Sequence, residues 1–195
     1  HHTGISLLDV VDKTISPMGS RLMKNWLVLP LLDIAEIKQR QDTVEYLITD
    51  RTLFDSVTAE IARIGDLERI ISKVALKRIN PKELLQLSTS LKSIARLKKV
   101  SNEVECKPIE AFAKRLNICT ELVELIDSHI SEDAPVVASK GGIFKLGVNE
   151  ELDEYLNISK NGKNYLVGIK ERESERTGIS SLKLAFNNVF GYYLE

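Results

Sequence analysis

Cysteine, histidine and aromatic residues are scarce in this sequence, and each shortage removes a class of function. The two cysteines, Cys106 and Cys119, lie thirteen positions apart and have no histidine beside them, which suits neither a zinc set nor a disulfide framework. They read as reduced thiols. His1 and His2 read as a tag remnant, which leaves His129 as the one native histidine and no partner for a nucleophile triad. The Gly141-Gly142 pair lacks the lysine-serine or lysine-threonine ending of a phosphate loop, so no ATP site is expected within this chain. No apolar run approaches the ~20 residues that cross a bilayer, and the start has no signal-peptide pattern; a cytoplasmic chain with no membrane partner is expected. A net charge of -1 argues against a strongly basic nucleic-acid module, so any contact with DNA has to come from a local patch.

What remains is a charged, aliphatic chain of 195 residues with 43% hydrophobic and 28% charged side chains, enough to build a core without metal or disulfide. From Thr3 to about Ile130 apolar residues recur every three or four positions, the helical period. Ile5, Leu8 and Val11 mark a first short helix. Pro17 opens a second through Leu22, Trp26 and Leu29, with Trp26 expected in the core. Asp33 suits the N-cap of a third, running to about Asp50. Further helices are expected over Leu53–Ile64, Leu67–Ile79, Pro81–Val100, Pro108–Leu116 and Thr120–Ile130. The Pro81 helix, capped by Asn80, aligns Leu84, Leu87, Leu91, Ile94 and Leu97 on one stripe. Between Arg69 and Lys99 nine cations meet only Glu83, a net +8, which reads as solvated outer faces rather than a DNA channel.

Composition changes at Ser131. Glycine, proline and the Val136-Val137 pair predict a loop with a short extended or hairpin element. Asn149 then caps a new helix reaching Arg176, as one piece or broken at Asn161-Gly162, with Gly178 at the C-cap position. The acidic group Glu150, Glu151, Asp153 and Glu154 falls in its first turn, where the helix dipole favours negative charge, so a metal or acid-base role is not needed to explain it. Near the end Leu182, Leu184 and Phe186 alternate with Lys183 and Ala185, Asn187-Asn188 suits a turn, and Val189–Leu194 returns as a second strand. The fold class is therefore mainly α: a multi-helical bundle over 3–148, then a long helix and a small antiparallel β-hairpin over 149–195. No catalytic, cofactor-binding or metal-ligating set emerges.

Three segments together resemble the MutS family of mismatch-recognition ATPases. The first runs from Ser6-Leu7-Leu8-Asp9 through Ser16-Pro17-Met18-Gly19-Ser20-Arg21-Leu22 to Trp26-Leu27 and Pro30-Leu31. The second joins Gly65-Asp66-Leu67-Glu68-Arg69-Ile70 to Asn80-Pro81-Lys82-Glu83-Leu84. The third combines Asn149-Glu150-Glu151-Leu152-Asp153-Glu154, Arg176-Thr177-Gly178 and Gly191-Tyr192-Tyr193-Leu194-Glu195. The resemblance implies a non-catalytic core and lever, with the long helix as lever arm and the hairpin as the first strands of an incomplete clamp that holds the DNA backbone. It implies as partners duplex DNA, carrying a mismatch in the whole protein, together with the other MutS domains and a second MutS subunit. ATP and Mg would be bound elsewhere in the whole protein. Lys183, Asn187, Asn188 and Tyr192 are the residues expected to touch phosphate, since such side chains make backbone contacts. Two other readings stay open: a MutS paralogue core acting in recombination, and a helical protein-interaction scaffold with no DNA role.

Overall fold

The computed structural model describes residues 4–189 and 191–195. His1 and His2, read as a tag, Thr3, and Phe190 of the expected second strand lie outside the described residues. The chain divides into two compact units, His1–Lys145 and Leu146–Glu195.

The first unit is helical, and six of its eight described α-helices, α1 to α6, start on a side-chain cap that satisfies orphan N–H groups of the first turn, whereas α7 and α8 do not. Helix α1 (Leu7–Val11) opens with a capping box between Ser6 and Asp9, and α2 (Pro17–Val28) begins with proline at its first position and Ser16 as cap. Asp33, Asp50 and Asp66 cap α3 (Ile34–Thr49), α4 (Arg51–Arg63) and α5 (Leu67–Ala75). Helix α5 ends earlier than the sequence pattern suggests. Lys77 takes a positive φ of 54°, which stops the helix before Ile79. The 22-residue α6 (Pro81–Asn102) carries the expected cap, a box between Asn80 and Glu83. Helices α7 (Lys107–Arg115) and α8 (Thr120–His129) complete the bundle.

Helix α6 is the axis of this unit. Leu87 and Leu91 join Ile70, Ile126, Ile130 and Ala134 in one buried cluster, with Leu84 and Ile94 packed against it, so four of the five residues of the expected stripe, all but Leu97, form the core face. A second cluster gathers Leu53, Cys106 and Ile109 beside Val100. Serines fill the faces between: Ser88, Ser90 and Ser93 are fully buried, and small side chains let neighbouring backbones come close. Each is bonded, as burial of a hydroxyl requires. Ser90 Oγ donates to Gln86 O (2.7 Å) and accepts from Gly65 N (3.0 Å), while Ser88 Oγ donates to Asp127 Oδ1 (2.6 Å).

Two expectations are corrected here. Trp26 is 41% exposed, not core, because no residue of α2 is buried; the Arg40 guanidinium lies 3.6 Å over its ring instead. The extended element after Ser131 forms further along than Val136-Val137. Residues 143–145 return to Ile130, where an antiparallel bridge joins Ile130 to Phe144, Ser131 N donates to Ile143 O and Lys145 N donates to His129 O. The tip carries a 3-10 turn, Ala138–Lys140.

The second unit is one helix and one hairpin. Helix α9 (Glu150–Thr177) is continuous through Asn161-Gly162, begins at the Asn149 cap and ends at Gly178 in the left-handed conformation, φ 71°. Its 28 residues span about 42 Å at ~1.5 Å per residue. Strands β1 (Leu184–Asn187) and β2 (Gly191–Leu194) pair antiparallel.

Candidate charge network and nucleic-acid interface

The four hairpin residues singled out from the sequence are all exposed, but they do not share a surface. Strand register pairs Leu184 with Leu194, Ala185 with Tyr193, Phe186 with Tyr192 and Asn187 with Gly191. Lys183 and Glu195 continue it, exchanging both backbone bonds at 2.6 and 2.9 Å. Because side chains alternate faces along a strand, Lys183 and Asn187 stand on the face of Ala185, Tyr193 and Glu195. Tyr192 stands on the other, with Phe186, Leu184 and Leu194. Its ring meets Phe186 at 4.9 Å between centroids, tilted by 59°. Asn187 Oδ1 accepts from Val189 N (2.7 Å), which ties the turn, and Asn188 lies within that turn. The face with Lys183 and Asn187 can therefore offer phosphate a cation and an amide, while Tyr192 belongs with an apolar face. Tyr193, which is not one of those four, is the tyrosine that accompanies Lys183.

The +8 run between Arg69 and Lys99 is largely consumed within the bundle. Lys92 meets Asp127 at 2.5 Å, Arg96 Nε donates to Glu60 Oε2 at 2.8 Å, and Lys73 pairs with Glu83. Lys98 Nζ donates to Leu116 O (2.8 Å), Lys82 Nζ to Glu132 O (3.1 Å), and Arg69 lies 3.4 Å from Asp66. These cations stitch helices together, which favours the structural reading of the run over a DNA channel. The carboxylates respond accordingly. Hydrogen bonding to Arg96 holds Glu60 below its ordinary range, and Lys73 does the same for Glu83. Burial pushes Asp127 up, but Lys92 and Ser88 more than offset it and the net shift is downward.

One network joins segments far apart in sequence. Arg21 of α2 grips Asp66 with both terminal nitrogens (Nη1–Oδ2 3.0 Å, Nη2–Oδ1 2.7 Å) and donates from Nε to Glu68 Oε2 (2.8 Å). Asp66 also accepts from Arg69 N (3.3 Å) as the cap of α5. The Asp66 and Glu68 carboxylates push the Arg21 guanidinium further above its already high range, and Arg21 holds Asp66 below the usual carboxylate range. Sequence reading missed this contact. Its signal was present in two of the recognised segments, Ser20-Arg21 and Gly65-Asp66-Leu67-Glu68, but nothing in either states that they meet.

Two members of the acidic start of α9 bond locally, although Asp153 Oδ1 is buried without a partner among the described residues. Asp153 Oδ2 accepts from Gly147 N (2.7 Å) and Glu151 Oε1 from Tyr155 Oη (3.1 Å). His129 is half-buried, its Nδ1 2.9 Å from Leu125 O on its own helix. Among the described residues no helix is long and apolar enough to cross a membrane.

These features define a class: a helical core module built on one central helix, continuing in sequence into a long helix and a small hairpin. A family model described as MutS domain III matches residues 1–187. The chain is similar to the DNA mismatch repair protein MutS of Flavobacterium johnsoniae, 48% identical over 191 residues, and to that of Bacteroides thetaiotaomicron, 47% identical over 192. The corresponding protein of Cytophaga hutchinsonii is 44% identical over 192 residues. Each alignment takes in 98% of this chain and 22% of the relative, so the chain spans under a quarter of the length of those proteins. The chain belongs to the MutS family and corresponds to its domain III.

Proposed function

We propose that this chain is the core, lever and first part of the clamp of a mismatch-recognition ATPase, supporting sequence-independent gripping of duplex DNA and coupling it to an ATPase domain elsewhere in the protein. The observation that carries the reading is α9, a 28-residue helix capped at both ends that delivers a hairpin with Lys183 and Asn187 on one face. A long uninterrupted helix moves as a rod, which is what transmission of a displacement requires. The partners of this reading are duplex DNA, the remaining MutS domains and a second MutS subunit. The hairpin contact is to phosphate, so it does not read bases. ATP and Mg are held outside this chain, and the chain contributes no chemical step.

The test is duplex binding across a salt series, for this chain and for a version extended through the rest of the clamp and the returning lever helix. The expected result is that the extended protein binds with affinity falling steeply with salt and nearly unchanged by a mismatch. Replacing Lys183 by alanine should reduce the salt slope by about one phosphate contact, a change of ~0.9 in log–log slope. An extended protein that binds no duplex even at low salt would overturn the reading in favour of a protein-interaction scaffold.

A further inference from the structure

Helix α2 is fastened to the rest of its unit by charge rather than by burial. No residue of α1 or α2 is buried; Leu8, Met18 and Met23 are half-buried, while Leu7, Val28 and the capping Leu29 face outward, Leu29 at 74% exposure. Within residues 4–30 the remaining side-chain bonds are local: Ser6 to Asp9, Thr14 and Ser20 to Asp12. Among the described residues every hydrogen bond from this stretch to the rest of the unit comes from Arg21. The other marked contact is again an arginine, Arg40 of α3 over the Trp26 ring.

The grip itself is specific. The guanidinium fork engages both oxygens of Asp66 and reaches Glu68 along its edge, a geometry that an ammonium cannot reproduce. The Asp66 side chain is 15% exposed and is fixed as the α5 cap, whereas that of Glu68 is 66% exposed. One jaw is therefore rigid and the other open to solvent and salt.

We propose that α1 and α2 form a detachable arm whose latch is the clamp of Arg21 on Asp66 and Glu68, so that the arm leaves the bundle as one piece while α4 to α8 stay folded. Regions with few buried apolar contacts open at low free energy, and exposed ion pairs are weak and screened by salt. Undocking is also visible. A free helix of 12 residues is marginal in water, so α2 unravels once released and its amides exchange.

The experiment is native-state hydrogen exchange, read by mass spectrometry, on the 195-residue chain at low salt and at about 1 M salt, where the screening length is ~3 Å. The wild-type chain should exchange faster in α2 at high salt, with α6 unchanged. Arg21→Gln should raise α2 exchange at low salt by roughly fivefold and remove most of its salt response. Arg21→Lys keeps the charge but loses the fork, and should resemble Arg21→Gln more than the wild type. The proposal is overturned if α2 exchange ignores both salt and the Arg21 variants. It is equally overturned if α2 and α6 accelerate together by the same factor, since the arm would then be part of the cooperative core.

Discussion

Replacing Gly65 by alanine sets two opposing effects against each other. A Cβ at this position would lie 2.9 Å from Gln86 Cγ and 3.1 Å from its Nε2. Gln86 cannot simply swing aside without cost, because its Nε2 donates to Arg63 O at 3.2 Å. Gly65 itself is held by donating to the buried Ser90 Oγ, so its backbone is not free to retreat. Overpacking of this kind costs ~1–3 kcal/mol. Against it, Gly65 does not sit at positive φ, so alanine is conformationally permitted and restricts the unfolded chain, a gain of ~0.4–1 kcal/mol. The clash should win, leaving a net destabilisation of about 1 kcal/mol. Because α9 contributes helical signal of its own, the readout should be hydrogen exchange of α6 amides in a urea series rather than whole-chain circular dichroism. Gly65→Ala combined with Gln86→Ala removes the obstructing side chain and should recover most of the loss. A wild-type background stabilised by Gly65→Ala, or a double variant with no recovery, would refute the steric account.

Acid should loosen the first unit through its paired carboxylates. Asp66, Glu60, Glu83 and Asp127 are all held below their ordinary values of 3.8 for Asp and 4.5 for Glu. Below those values the unfolded chain binds more protons than the folded one, so stability present above pH ~4.5 falls as pH drops through the folded values. Urea midpoints between pH 6 and pH 3 measure this, and Glu60→Gln should flatten part of the slope; midpoints constant to pH 3 would contradict it. At the far end of α9, Gly178→Ala places a side chain at φ 71° and should cost ~1 kcal/mol, seen as faster exchange in the last turn of the helix. Ser90→Ala leaves the Gly65 N–H without its acceptor and should cost ~1–3 kcal/mol in the same α6 assay. Tyr155, Ile158 and Tyr165 are exposed along one side of α9, so the isolated chain should self-associate with rising concentration. Sedimentation showing a monomer throughout would count against that surface being adhesive.

Caps and periodicity made most of the helices legible. Asp33, Asn80 and Asn149 each stand before an apolar repeat, and each is a cap; the choice between one helix and two after Asn149 needed the structure, because Gly162 weakens a helix without ending it. The α5 terminus was not legible, since no glycine or proline announces it and Lys77 takes the left-handed turn in their place. Trp26 departs from expectation because an aromatic on an apolar face usually packs inward, whereas no residue of α2 is buried and this ring is covered by the Arg40 guanidinium. Long-range polar contacts were the least visible. Arg21 and Asp66 look like ordinary surface charges until the fold brings positions 45 apart in sequence within 2.7 Å.

Register, which single residues cannot reveal, decides what the hairpin can do. Lys183, Asn187, Asn188 and Tyr192 look equivalent as polar or aromatic residues near a turn, but a two-residue period separates Tyr192 from Lys183 and Asn187. A strand that grips phosphate with one face must pack or remain wet on the other. The Phe186–Tyr192 pair supplies an apolar face, leaving Lys183, Asn187 and Tyr193 as the set able to meet a backbone together. Glu195 is cross-strand to Lys183 on that same face, where a negative charge opposes the approach of a phosphate, so under the proposed reading a contact from this face should be weak and salt-sensitive. Under the proposed clamp reading, weak contacts of this kind would let the hairpin close on any sequence and open again. Within the extended protein, Glu195→Gln should therefore tighten duplex binding at low salt while Tyr192→Phe leaves it unchanged. Equal weakening by Tyr192→Phe and Lys183→Ala would mean that the gripping surface crosses both faces and that the register argument fails.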